Sequence, residues 1–434
     1  MKKNNRSTHL ITIALAAAFT QGASVNAYGH GAQNLPNATT REIPKPSPCR
    51  LLTAERVFDG TELHEKYAVL IKYGKIADVG PKAELRNSCD KIKKLGNATI
   101  LPGFIESHAH INYQNIDHDA VLKHGITTVR DVGGPLMPPF GGKGQLRVLS
   151  SGPIIQAEGG YPLNVFGGES DYDKIGITVS SVKEAEQVVQ HLVDEGAVTI
   201  KISLETGGEP GAPWMMPHGE NPIPKTPWPL LSLDIVKAIV AKAEALGKKV
   251  SAHIGENKGA KLALEGGVHE WTHVPCSAID DDLLQKAVDQ GVKVVSTIDT
   301  LASCGSGLYA NTMSLAKKMS TGKNGSEFIY GSEIAHDNVP WGINGEELHL
   351  MLHLTSGGNI DFPKVVNVIK SATSTAGKNL DLEGLEDLGT LKPGAPADLI
   401  AVRGNPFERF KLLEYPDLVI SGGRVIVDNK NFSK

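Results

Sequence analysis

The chain has 434 residues, and its 44 lysines and arginines against 48 aspartates and glutamates leave a formal net charge of -4. That length suffices for one large barrel and a smaller companion. Charge of mixed sign without long runs argues against a nucleic-acid surface or a polybasic membrane anchor.

In chain order, residues 1–6 (MKKNNR) are basic and residues 10–19 (LITIALAAAF) are apolar, and Val25-Asn26-Ala27 ends on the small residue that signal peptidase prefers. Residues 1–27 are therefore expected to be a signal peptide cleaved before Tyr28, which predicts an exported protein, periplasmic or secreted. An uncleaved anchor is the alternative, but the apolar run is short for a bilayer span. Residues 28–47, rich in Gly, Asn, Pro and Thr, are expected to form an exposed lead-in.

Residues 48–100 carry short alternating strands such as YAVLI at 67–71 and KIADV at 75–79, broken by glycine. Residues 389–434 resume that style at 398–402, 418–420 and 424–427. The two ends are expected to fold together as one small β-sandwich domain. Between them, over 101–388, strand-like runs alternate with helical stretches. Strands are expected near 100–108, 125–131, 152–157, 197–202, 248–253, 268–273, 292–298 and 327–333. A helix over 232–246 places Ile235, Ile239 and Ala243 on one face. Eight such units predict an α/β architecture, a closed (β/α)8 TIM barrel. An open doubly wound sheet is the rival, but no GxGxxG follows a first strand.

Of the four cysteines, Cys49 and Cys89 flank the N-terminal strands, while Cys276 and Cys304 follow neighbouring barrel strands. Export permits disulfides, and Cys49–Cys89 with Cys276–Cys304 is the geometrically simplest of three pairings; four free thiols also fit.

The chemistry concentrates at strand ends. His108 and His110 lie two apart on the first barrel strand, so both imidazoles project from one face. Lys201 stands inside the apolar run VTIKI at 198–202, where a buried ammonium is costly. His253 and His273 each close a strand-like run. In a parallel barrel such ends converge at one mouth, and neutral imidazoles at an open site bind a metal that activates water.

These residues, with LPGFIESHAH at 101–110, GITTVRDV at 125–132 and LGTLKPGAPADL at 388–399, resemble the amidohydrolase superfamily. Within it the chain is similar to the group of imidazolonepropionase and the Xaa-Pro and Xaa-Arg dipeptidases, over residues 49–427. The resemblance implies two divalent ions, usually zinc. His108 and His110 would hold the buried ion, His253 and His273 the exposed one, and a carboxylated Lys201 would bridge them.

The family's eighth strand presents a catalytic aspartate, and an ungapped match puts Glu333 there, with Asp337 four residues on as the alternative base. Glu106 likewise stands where aspartate is commoner. Arg130 is a candidate for a substrate carboxylate or for an ion pair with Asp131 or a loop. Tyr161 occupies the place where related dipeptidases often carry histidine, which makes it a substrate-binding candidate. Residues 206–229, with Trp214, Met215, Met216 and Trp228, resemble a lid that Trp341 could join. The expected activity is metal-assisted hydrolysis of a small amide, a dipeptide or an N-acyl amino acid. Cyclic-amide or lactone hydrolysis, and a degenerate metal-binding barrel that only binds its ligand, are the alternatives. The expected partner is this small molecule, with no nucleic acid and no membrane once the signal is removed. Barrels of this family often associate, which leaves a homo-oligomer open.

Overall fold

The computed structural model describes residues 42–207, 224–336 and 338–429. The signal segment, most of the lead-in, Trp214, Met215, Met216 and Asp337 lie outside the described residues. Among those described, no helix is long and apolar enough to cross a membrane.

The strands that carry the site are β1 (Phe104–Ala109), β2 (Ile126–Asp131), β3 (Gln145–Ser150), β4 (Ile154–Gln156), β5 (Ile200–Ser203), β6 (Val250–His253), β7 (Glu270–Trp271), β8 (Lys293–Val295) and β9 (Phe328–Ile329). β1, β2 and β3 pair in parallel. Strands β4 to β9 belong to a seven-stranded, wholly parallel sheet in that order. Every residue of β1, β2, β5 and β6 is buried. Such continuous burial is the mark of parallel strands covered on both faces, and it takes the polar residues of these strands, Glu106, His108, Arg130, Lys201 and His253 among them, out of water. Helices intervene. The one over Leu233–Ala245 begins where the Ser232 hydroxyl accepts the Ile235 N–H, and it buries Ile235, Val236, Ile239, Val240 and Ala243.

Two expected strands differ. The run expected over 100–108 breaks at Gly103: Ala98–Pro102 joins a separate antiparallel pairing with Leu399–Arg403, and only Phe104–Ala109 enters the parallel set. A Cβ on Gly103 would meet the Thr127 side chain at 2.2 Å, so the chain turns there by letting backbone touch side chain. Gly103→Ala is therefore expected to cost about 1–3 kcal/mol in a thermal melt, with partial recovery in Gly103→Ala/Thr127→Ala. The strand expected over 152–157 is confined to β4, and it is preceded by a strand that was not expected, β3. β3 pairs with β2, and β4 pairs with β5 through Ile155 and Ile202. Between them stand Gly152, at φ +70°, and Pro153, which has no N–H for a ladder.

Both chain ends meet in a six-stranded sheet that holds Ala98–Pro102, Leu399–Arg403 and Leu418–Ser421. A four-stranded sheet is built around Cys49–Thr53 and Tyr67–Lys72. Leu52, Val69 and Ile71 of the smaller sheet share one buried cluster with Ile100, Leu399 and Ile420 of the larger. The structure joins Cys49 to Cys89 and Cys276 to Cys304.

Candidate active site

His108, His110, Lys201, His253, His273 and Glu333 all line one cavity of about 100 Å³. Parallel strands make this convergence. β1 carries His108 and ends just before His110, β5 carries the lysine and β6 His253, while His273 and Glu333 follow β7 and β9.

Backbone carbonyls orient the first two rings. His108 Nδ1 donates to Thr272 O at 2.9 Å, and His110 Nδ1 points at Gly133 O at 3.4 Å. Protons committed to carbonyls leave lone pairs on both Nε2 atoms. Those atoms lie 3.2 Å apart, and each is 3.8 Å from Glu333 Oε1. Electron-rich atoms converging in this way suit a cation. His108, His110 and Glu333 are also the group whose ligand atoms all lie within 4.8 Å of one another.

Burial, with the nearby Lys201 charge, holds His108 and His273 well below the usual imidazole range and pulls His110 down to about 3. His253 is lowered by burial too, although Glu205, with Oε2 at 3.7 Å from Nε2, opposes the shift. Neutral rings are the ligand-competent form. Burial equally drives the Lys201 ammonium down and the Glu333 carboxyl up. Lys201 Nζ donates to Thr272 Oγ1 at 2.7 Å, and Thr272 thereby serves both β1 and β5. Among the described residues, Glu333 Oε2 is buried with no hydrogen-bond partner. The donor set fits a divalent ion: neutral imidazoles, a carboxylate with an unmet acceptor and a lysine whose charged form is disfavoured.

Glu333 is held in a left-handed backbone conformation, φ +59°, two residues before Ala335 at φ +94°, and His336 N donates to Glu333 O at 3.0 Å. Non-glycine residues in that region cost on the order of 1–3 kcal/mol each and collect at functional sites. Glu106, fully buried on β1, anchors this turn. Its carboxyl accepts from His108 N at 2.9 Å and from Ser332 N and Oγ at 2.9 and 2.8 Å, and desolvation pushes it up to about 8.

Arg130 does not reach the cavity. Its guanidinium donates to both Glu270 oxygens, at 3.1 and 2.5 Å, and to Ser107 O at 2.8 Å. Of the two readings given for Arg130, the structure holds an ion pair, with Glu270 where Asp131 or a loop was expected as the partner. Asp131 instead accepts from Asn112 at 2.5 Å. Tyr161 does line the cavity, its ring 4.8 Å from that of His253. Trp228 is buried behind Tyr161, while Trp341 is exposed and lies outside the lining. Thr272, Glu205 and Thr297, whose hydroxyl is 2.9 Å from His273 Nδ1, were not legible as site residues, because a threonine beside a strand-end histidine is an ordinary β residue.

A parallel-stranded α/β fold that brings four imidazoles, a lysine and a carboxylate to one cavity follows the plan of metal-dependent hydrolases. The chain belongs to the amidohydrolase family, whose model matches residues 99–426, and its fold is TIM-barrel-like. Among curated proteins it is similar to the ochratoxinase of Aspergillus niger, 26% identical over 298 residues, which are 66% of this chain and 57% of that one. The match thus spans little more than half of that relative. Among solved structures it is similar to a Xaa-Pro dipeptidase with bound methionine in its active site (TM-score 0.67, 22% identity, 87% of this chain and 99% of that one). The A. niger ochratoxinase structure matches with a TM-score of 0.66 and 19% identity, over 88% of this chain and 96% of that one. These structural likenesses speak to fold.

Proposed function

We propose that the chain is an exported, metal-dependent hydrolase of carbon–nitrogen bonds that cleaves a small amide, a dipeptide or an N-acyl amino acid. The observation that carries this function is the convergence of His108, His110, Lys201, His253, His273 and Glu333 on one cavity. In this proposal the parallel strands close into a (β/α)8 barrel over 101–388, which the His110 N–H to Ile334 O bond of 3.0 Å supports. Residues 48–100 and 389–434 form the small β-sandwich domain, supported by the sheet that both ends share. Two disulfides support export to an oxidising compartment.

His108 and His110 would hold one ion and His253 and His273 a second, with a carboxylated Lys201 between them and zinc as the natural metal for these donors. Carboxylation adds the Lys201 amine to carbon dioxide with loss of one proton, and burial that disfavours the ammonium exposes that amine. Divalent ions bound there supply Lewis acidity toward a carbonyl and acidify a water. Glu333 takes the proton of the attacking water at Oε2 as oxygen adds to the amide carbon. It returns that proton to the departing nitrogen as the C–N bond breaks. Glu106 and Ser332 keep Glu333 aimed, and Tyr161 faces the substrate.

Elemental mass spectrometry on the purified mature protein is expected to find about two zinc-class ions per chain. The loaded protein is then expected to hydrolyse members of a dipeptide and N-acyl amino acid panel. Absence of metal after reconstitution with zinc and bicarbonate would overturn the metal-dependent mechanism in favour of a binding protein.

A further inference from the structure

We infer that the substrate presents an aromatic or branched apolar group to this cavity, and that a free carboxylate is not read; this rests on the amide hydrolysis proposed above. Beside the imidazoles the cavity has a wall of a different kind. Tyr113, Ile154 and Ile175 form a small buried cluster separate from the main core, with Phe166 packed on it, and all four line the cavity. Tyr161 continues this wall, its ring 6.0 Å from Phe166.

The wall is braced. Phe166 meets Tyr113 edge-on at 6.4 Å and 80°, and Tyr161 stacks on Trp228 at 6.0 Å and 7°. Rings held in this way keep their shape when a ligand arrives, so the entropy of forming an apolar subsite is already met by the fold. Water against such a wall finds few hydrogen-bond partners, and a ring or branched chain displaces it favourably. The subsite lies against His253, so a group seated there sits beside the reacting bond.

Charge gives the second half. Reading a substrate carboxylate needs a fixed cation, ideally a forked guanidinium. Arg130 is turned away and paired with Glu270. Among the described residues, Lys201 is the one lysine or arginine that lines the cavity, and it is buried among the imidazoles. Residues 208–223 (GEPGAPWMMPHGENPI) contain no lysine or arginine, so that segment brings no such cation. The remaining polar side chains of the lining outside the donor set are Gln114, His336 and the phenols of Tyr113 and Tyr161, none of them an ammonium or guanidinium.

The test compares three amides on the full chain loaded with zinc in bicarbonate: alanyl-phenylalanine, alanyl-phenethylamine (the same amide without its carboxylate) and alanyl-alanine. A parallel series places the ring on the acyl side, with phenylalanyl-alanine and phenylalanyl-ethylamine. In whichever series is cleaved, removing the carboxylate is expected to change kcat/KM by less than about fivefold, since no clamp is lost. Removing the ring is expected to lower kcat/KM by about 30-fold, the worth of one buried aromatic side chain. Phe166→Ala is expected to narrow the gap between ring-bearing and ring-free amides, and Phe166→Leu to keep most of it. A loss above about 100-fold without the carboxylate, or equal rates without the ring, would overturn the inference while amide hydrolysis stands. Failure to cleave any amide in either series or in the wider panel would overturn the hydrolase function itself, and this inference with it.

Discussion

Glu333→Gln is expected to lower kcat by at least about 10³-fold while the protein remains folded, because the amide cannot accept the proton of the attacking water. Gln is nearly isosteric, so the left-handed turn at Glu333, the bond from His336 N to Glu333 O and the support from Glu106 are retained. The thermal midpoint of the metal-free protein should hold or rise, since burial already disfavours the Glu333 carboxylate and Oε2 has no hydrogen-bond partner among the described residues. Circular dichroism, metal content and turnover, measured together, separate the chemical effect from a folding effect. Unchanged turnover would remove Glu333 as the base and move the role to Asp337, for which Asp337→Asn is the matched measurement. The geometry favours Glu333, which is placed 3.8 Å from both His108 and His110 Nε2 and 3.9 Å from His273 Nδ1.

Arg130→Met is expected to destabilise the protein by about 3–5 kcal/mol, the usual cost of leaving one partner of a buried ion pair unpaired. Both side chains are almost wholly buried, and among the described residues Asn379 Nδ2, at 2.7 Å, is the side-chain hydrogen-bond donor that Glu270 keeps once the guanidinium is gone. Chemical denaturation reads this loss directly. The double variant Arg130→Met/Glu270→Gln should recover much of it, because the uncompensated charge is removed with its partner. An arginine that recognised a substrate carboxylate would behave in the opposite way, raising KM with stability nearly intact. That outcome would refute the structural role and reopen the question of a carboxylate clamp.

The contrast between these residues shows how far the primary structure could be read. Histidine at 108 and 110 and lysine at 201 stand out because apolar parallel strands tolerate few polar residues, and alternation along a strand puts 108 and 110 on one face. Local pattern therefore reached most of the barrel strands, the helix over Leu233–Ala245 and the polar residues that stand out on them. Arg130 has the same appearance, a cation at a strand end. Its partner Glu270 is 140 positions away, and no local signal says that the two strands face each other.

The strand Gln145–Ser150, which precedes the expected third strand, was hidden for a related reason. Gly152 and Pro153 mark the break between it and β4, but which neighbours the two strands choose depends on the packing of β2 and β5. Sharing of Thr272 between His108 and Lys201, the grip of Glu106 on the turn before Glu333, and the aromatic wall drawn from Tyr113, Tyr161, Phe166 and Trp228 are likewise tertiary facts. The amino-acid sequence by itself determined that strands and helices alternate, where most of the strands lie, and which polar side chains were too costly to bury without purpose, because those are set by periodicity and desolvation within a few residues. Only the tertiary structure decided which of those costly groups meet one another, because pairing energies depend on distances between strands that sequence separation does not encode.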